Sequence, residues 1–264
     1  MDPLRTHANY LQESLKLMVC YVSELTCRRE PPVPIDEALE LRTDILRRTV
    51  HFDGRHPAYS LEPANAAWDG LRAQLAERIF AHADVADTDA LETECWTILQ
   101  PLVEPIAREH YERSLQDGQG PYQCWSFDTR ANDPGAITLH VRNAYRPASP
   151  FSAAHRPQLV ESLLRLLHDA QAAHPAATRL RCGSWLNQLP PFLSLFPPSW
   201  SASFVASDYS SGTYGHWGQY MDHRGAFHLH NGAALRRTGR HPYAAGTCQC
   251  DIAEVIRHLR EQSV

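Results

Sequence analysis

Apolar residues recur at helical spacing through the first half of the chain. Leu11, Leu15, Met18 and Val22 share one face of a helix expected over 7–27. Pro31-Pro32-Val33-Pro34 follows as a stiff connector. Asp36 is placed to cap a second helix carrying Leu39, Ile45, Leu46 and Val50. A turn-rich loop spans 51–63, with Asp53-Gly54 and two prolines, and Asn65 caps a helix with Trp68, Leu71, Leu75 and Ile79 on one face. The helical pattern over 88–115 is interrupted by Pro101 and Pro105, which kink or split it. Asp117-Gly118-Gln119-Gly120-Pro121 ends this half.

The period then changes. Segments 122–129 and 136–143 are short and alternating around Asn132-Asp133-Pro134-Gly135, a hairpin signal. Leu159, Leu163, Leu166, Leu167 and Ala170 mark a helix stopped at His174-Pro175. Strands are expected over 179–186 and 201–207, with a helical turn at 192–196 between them. Segments 214–221 and 226–230 bracket Asp222-His223-Arg224-Gly225 as a second hairpin. Asp251 and Glu254 form a capping-box pattern for a last helix with Val255, Ile256 and Leu259. The order predicts an α/β chain of the α+β kind: a helical region over 1–120, then a mostly antiparallel mixed sheet with flanking helices over 121–264.

Composition narrows the function classes. At 264 residues and 43% hydrophobic, the chain can bury a substantial core. A net charge of -5, without runs of like charge, argues against nucleic acid as a partner. Lys16 is the only lysine, a bias that a high-GC bacterial genome explains; it leaves the second half without a Schiff-base lysine. No run approaches the ~18 apolar residues of a spanning helix, so no membrane partner is expected. Met1-Asp2-Pro3-Leu4-Arg5 lacks a basic stretch leading into an apolar one, and the seven cysteines are scattered. Both features point to a cytoplasmic protein with reduced thiols.

Three segments join strand ends to polar and aromatic residues, the usual place for ligand-binding groups on a sheet. They are 139–147, with Arg142, Asn143 and Arg146; 181–187, with Ser184 and Trp185; and 215–224, with His216, Trp217, Gln219, Asp222 and Arg224. Together they predict one small-molecule cleft. His216, Asp222 and His228 are the candidates for acid–base catalysis, since imidazole needs only a small pKa shift to work near neutrality. The arginines at 142, 146 and 224 suit a carboxylate, phosphate or sulfate. Gly183-Ser184-Trp185 lacks the glycine pattern of a nucleophile elbow. The last third is rich in His216, His223, His228, His230, His241, Cys248 and Cys250. Cys-x-Cys is not structural-zinc spacing, so a bound metal is not expected.

Residues 136–204 resemble the second half of bacterial GNAT-type acyltransferases. The likeness lies in a strand containing Leu139-His140, a helix, a strand ending in Ser184-Trp185-Leu186, a proline-rich helical turn around Leu189-Pro190 and Phe196-Pro197-Pro198, and a further strand. The resemblance implies a GNAT-like mixed sheet and acyl transfer from a thioester, with coenzyme A as the thioester carrier. One departure opposes that cofactor. Residues 148–157, before the helix that would receive the coenzyme A pyrophosphate, hold two prolines and no glycine, so few backbone N–H groups face an anion. The reading is a cytoplasmic enzyme of specialised biosynthesis, acting on a small anionic or acyl-linked metabolite, free or carrier-protein-bound. The first alternative keeps the fold without coenzyme A and catalyses intramolecular substitution or elimination with an anionic leaving group. The second is a non-catalytic subunit whose 189–200 surface binds a protein partner.

Overall fold

The computed structural model describes residues 2–55, 66–85, 87–116, 120–207 and 214–262. In chain order the elements are α1 (Pro3–Ser23), α2 (Ile35–Leu41), α3 (Ala66–Ala81), α4 (Asp89–Val103), α5 (Ala107–Gln116), β1 (Trp125–Arg130), β2 (Asp133–Val141) and α6 (Arg156–Ala173). There follow β3 (Arg179–Gly183), α7 (Pro190–Leu193), α8 (Pro198–Ala202), β4 (Val205–Ala206), α9 (Tyr214–Trp217), α10 (Leu229–Thr238), β5 (Gly246–Asp251) and α11 (Ile252–Glu261). The protein is mixed α/β, and none of its described helices is long and apolar enough to cross a membrane.

The chain divides into two compact units, Met1–Glu112 with Tyr209–Pro242, and Arg113–Asp208 with Tyr243–Val264. The hydrophobic pattern assigns 121–264 to one domain, whereas 209–242 returns to the helical unit. The physical reason is apolar: Trp217, Tyr220 and Leu235 are fully buried in the core built by α1, α3 and α4.

In the first unit, α1 starts where Pro3 occupies the first turn and Asp2 accepts a hydrogen bond from the Leu4 N–H at 3.0 Å. Its Leu11, Leu15, Met18 and Val22 are buried, and so are Tyr10, Ser14, Leu17 and Tyr21, so most of the helix is enclosed. The second helix is shorter than its pattern implies. It ends at Leu41, Asp36 lies inside its first turn, and Leu46–Arg48 forms a separate 3-10 turn. Pro101 is accommodated inside α4, which runs on to Val103, and the helical stretch is divided at Pro105 into α4, a 3-10 turn at Glu104–Ile106, and α5. Asn65, most of the 51–63 loop and 117–119 lie outside the described residues.

The second expected hairpin is helical instead. Segment 214–221 forms α9 and a 3-10 turn at Gly218–Tyr220, Met221 and Phe227 make one isolated bridge, and α10 follows. Buried residues at 216, 217, 219 and 220 follow a helical spacing rather than alternation. The turn between them holds: Asp222 Oδ1 accepts from the Arg224 and Ala226 N–H groups, and Gly225 takes φ +88°.

The second unit carries one five-stranded sheet in the order β1-β2-β3-β5-β4. β1/β2, β3/β5 and β5/β4 are antiparallel, whereas β2 and β3 are parallel, linked by the crossover helix α6. The 201–207 strand shrinks to Val205–Ala206, because Pro198 starts a helical turn that runs through Ala202. Trp125, Leu163, Leu180, Phe192, Phe196 and Trp200 fill the core, with the Trp125 indole N–H donating to Leu159 O at 3.0 Å. The aromatic residues Phe192, Phe196 and Trp200 of the 189–200 segment are interior, whereas Pro190, Pro191 and Pro198 are exposed.

Candidate functional site

The expected cleft draws on both units. Arg142, Asn143, Arg146, Ser184 and Trp185 lie in the sheet unit, while His216, Trp217, Gln219, Asp222, Arg224 and His228 lie in the helical unit.

In the sheet unit the parallel ladder sets the geometry. Pairing runs from Ala136 and Arg179 to Thr138 and Arg181, then stops, although β2 continues to Val141 and β3 to Gly183. Each strand keeps its outer neighbour, Leu139 with Phe127 and Cys182 with Cys248. The sheet therefore opens between β2 and β3 at their C-terminal ends, where α/β sheets usually bind ligands.

The loop after β2 is tightly tied. Asn143 uses both ends of its amide, donating to Ala148 O and accepting from the Tyr145 N–H, each at 3.0 Å. Tyr145 donates to Gln123 Oε1 and stacks on His155, with centroids 4.1 Å apart and planes 9° from parallel. Gln123 has φ +55°, the one positive value outside glycine among the described residues, a strained geometry of the kind that gathers at functional sites. Arg142 is exposed beside this loop and Arg146 is half-buried within it.

The loop after β3 is built similarly. Ser184 Oγ accepts from the Leu186 N–H at 3.1 Å, capping the 3-10 turn Trp185–Gln188. The Trp185 ring lies 5.7 Å from Tyr243. Asn187, absent from the expected site, is the polar hub: its amide donates to Cys182 O at 2.8 Å and Gly246 O at 3.0 Å and accepts from the Trp200 indole at 3.1 Å.

The N-terminus of α6 has several of its first N–H groups absent or already bonded. The Arg156 N–H donates to Ser152 O at 3.1 Å, Pro157 has none, and the Leu159 N–H donates to His155 O at 2.9 Å. The Arg156 guanidinium reaches Ser194 Oγ at 2.9 Å and Gln262 Oε1 at 2.7 Å. Little remains of the usual helix-terminus cradle.

In the helical unit His216 is 4% exposed and Trp217 and Tyr220 are fully buried. The His216 ring stands edge to face against His241, with centroids 4.3 Å apart. Tyr21 and Trp217 also pack on His241, at 4.5 and 5.1 Å. The Tyr220 hydroxyl is 2.7 Å from His241 Nδ1, and the Trp217 indole donates to Arg42 O at 3.2 Å. Burial lowers the pKa of His216 to about 4. Burial, and then the neighbouring His216, hold His241 well below the usual imidazole value, so both rings are uncharged at neutral pH. Gln219 braces the turn, donating to His216 O at 3.1 Å while its own carbonyl accepts from Asn231 Nδ2 at 2.7 Å.

The other expected acid–base residues serve the backbone. Asp222 closes its turn, with Arg224 exposed in it, and His228 Nδ1 caps α10 by accepting from the Asn231 N–H at 3.3 Å. The pattern gave His241, Tyr220 and Tyr21 no part beside His216. Their only sequence signal was His241 among many metal-capable residues. Among the described residues no three His, Cys, Asp or Glu side chains form a group that could hold a metal ion. No family model, curated protein or solved structure matches the chain.

Proposed function

We propose that the chain is an acyltransferase-like enzyme whose sheet unit is GNAT-like and accepts a carrier-bound thioester rather than free coenzyme A. The observation that carries this reading is the parallel β2/β3 ladder, which opens after Thr138 and Arg181 toward Arg142 and Trp185. The order β2, α6, β3, proline-started α7 and α8, then β4 supports it, because the acyltransferase resemblance rests on that order. The bonded Arg156 and Leu159 N–H groups and the proline at 157 support the departure from coenzyme A. In the proposed reaction an amine attacks the thioester carbonyl, the C–S bond breaks, a C–N bond forms, and the amine proton leaves with the thiol. Arg142 and Arg146 bind an anionic part of the substrate, and Trp185 lines its path.

A thermal-shift comparison of S-acetylpantetheine, acetyl-coenzyme A and sulfate tests this. A ligand at 100 times its Kd adds about 2.7 kcal/mol, enough to raise Tm by several degrees. The proposal expects S-acetylpantetheine to protect at least as well as acetyl-coenzyme A, with the shift reduced in Arg142→Ala. Much stronger protection by acetyl-coenzyme A overturns the carrier-bound assignment. Protection by sulfate alone overturns acyl transfer in favour of substitution or elimination with an anionic leaving group.

A further inference from the structure

The His216 and His241 pair in the helical unit presents two ring nitrogens that hydrogen bonding does not absorb. His216 Nδ1 and His241 Nε2 are buried and have no hydrogen-bond partner among the described residues. Their surroundings decide which nitrogens carry hydrogen. Tyr220 is fully buried, and its hydroxyl meets His241 Nδ1 at 2.7 Å. Were Nδ1 protonated, the tyrosine proton would be stranded in an apolar core, at a cost of about 1–3 kcal/mol. Tyr220 therefore donates, Nδ1 accepts, and Nε2 carries the proton. The Gln219 amide nitrogen lies 3.4 Å from His216 Nε2, facing it with N–H. His216 Nε2 is then the lone-pair side, and Nδ1 carries the proton.

Both orphan nitrogens are thus N–H donors, on rings whose centres are 4.3 Å apart. Their walls are Tyr21, Trp217 and Tyr220, with no cation among the ring and hydrogen-bond contacts that the described residues make with the pair. Fixed neutral donors in an apolar surround stabilise an oxygen acceptor strongly, because they need no reorganisation. We propose that His216 Nδ1–H and His241 Nε2–H form a two-donor binding site for the carbonyl oxygen of an uncharged small molecule, such as an amide. A carboxylate suits it less, since burying its charge without a cation is costly. The site is separate from the acyl-transfer reading, since it is built within the helical unit alone.

Nitrogen-15 labelling of histidine and long-range proton–nitrogen NMR read both tautomers directly. The wild-type protein should show His216 protonated at Nδ1 and His241 at Nε2. N-methylacetamide should shift both signals in a saturable manner, and acetate should shift them less. Tyr220→Phe, which removes a hydroxyl and little volume, should mix the His241 tautomers and abolish its saturable response. The opposite tautomers in the wild type overturn the assignment. So does an absence of response to N-methylacetamide, which would leave a site for water only, or a stronger response to acetate. A Tyr220→Phe protein with an unchanged His241 signal overturns the role given to the hydroxyl.

Discussion

His216 folds uncharged and unfolds into water, where it takes a proton at its ordinary pKa. Its folded pKa is depressed to about 4 from 6.5, so the unfolded state binds more protons between those values. Stability is unaffected above about pH 6.5 and falls as pH drops toward 4, by up to about 1.4 kcal/mol per pH unit for this one histidine. Replacing it should flatten that slope: urea midpoints between pH 7 and 4.5 should move less in His216→Phe than in wild type. An equal slope in the two proteins contradicts the burial account. A second residue-scale test concerns Glu92, buried on α4, whose two oxygens accept from Arg236 at 2.8 and 2.7 Å. Removing one partner strands the other charge, but the Arg236 side chain is 26% exposed and so partly hydrated. Glu92→Ala should cost about 2 kcal/mol, below the ~3–5 of a fully buried pair, as read by urea denaturation.

Between elements, close approach and polar hubs carry the specificity. A Cβ built on Gly232 of α10 would stand 2.5 Å from the Phe227 ring. Gly232→Ala should therefore destabilise the protein by about 1–3 kcal/mol, although alanine is the better helix former. Asn187 ties the ends of β3 and β5 to α8, so Asn187→Leu should cost about 2–4 kcal/mol by orphaning two carbonyls and an indole N–H. Thermal melts of both variants check these values. Periodicity made most of these elements legible: the stripe from Leu11 to Val22, the break between α4 and α5 at Pro105, the first hairpin and the stop at His174-Pro175 all behave as their side chains dictate. It failed at 214–230, where aromatic and histidine residues fit alternation and helical spacing alike, and only packing of Trp217 and Tyr220 into the helical core selects between them. Arg142 and Trp185 were legible as strand-end residues, whereas Asn187 and the His216–His241 contact depend on long-range packing that no local pattern encodes.

At the scale of the whole molecule, chain order and unit membership differ. The helical unit needs 209–242 in addition to its first 112 residues, and with them Trp217, Tyr220, Leu235 and the Glu92 partner Arg236. A fragment of residues 1–120 should consequently lack a cooperative thermal transition by circular dichroism, because its core is missing large buried side chains. A sharp transition near that of the full chain would contradict the discontinuous unit. The sheet unit has its own core, and the acyl-transfer proposal rests on the place where its parallel ladder opens. Amide NMR mapping with S-acetylpantetheine tests that claim most directly. The account predicts saturable shifts concentrated at 139–146 and 182–187; shifts concentrated at the N-terminus of α6, or in the helical unit instead, would contradict it.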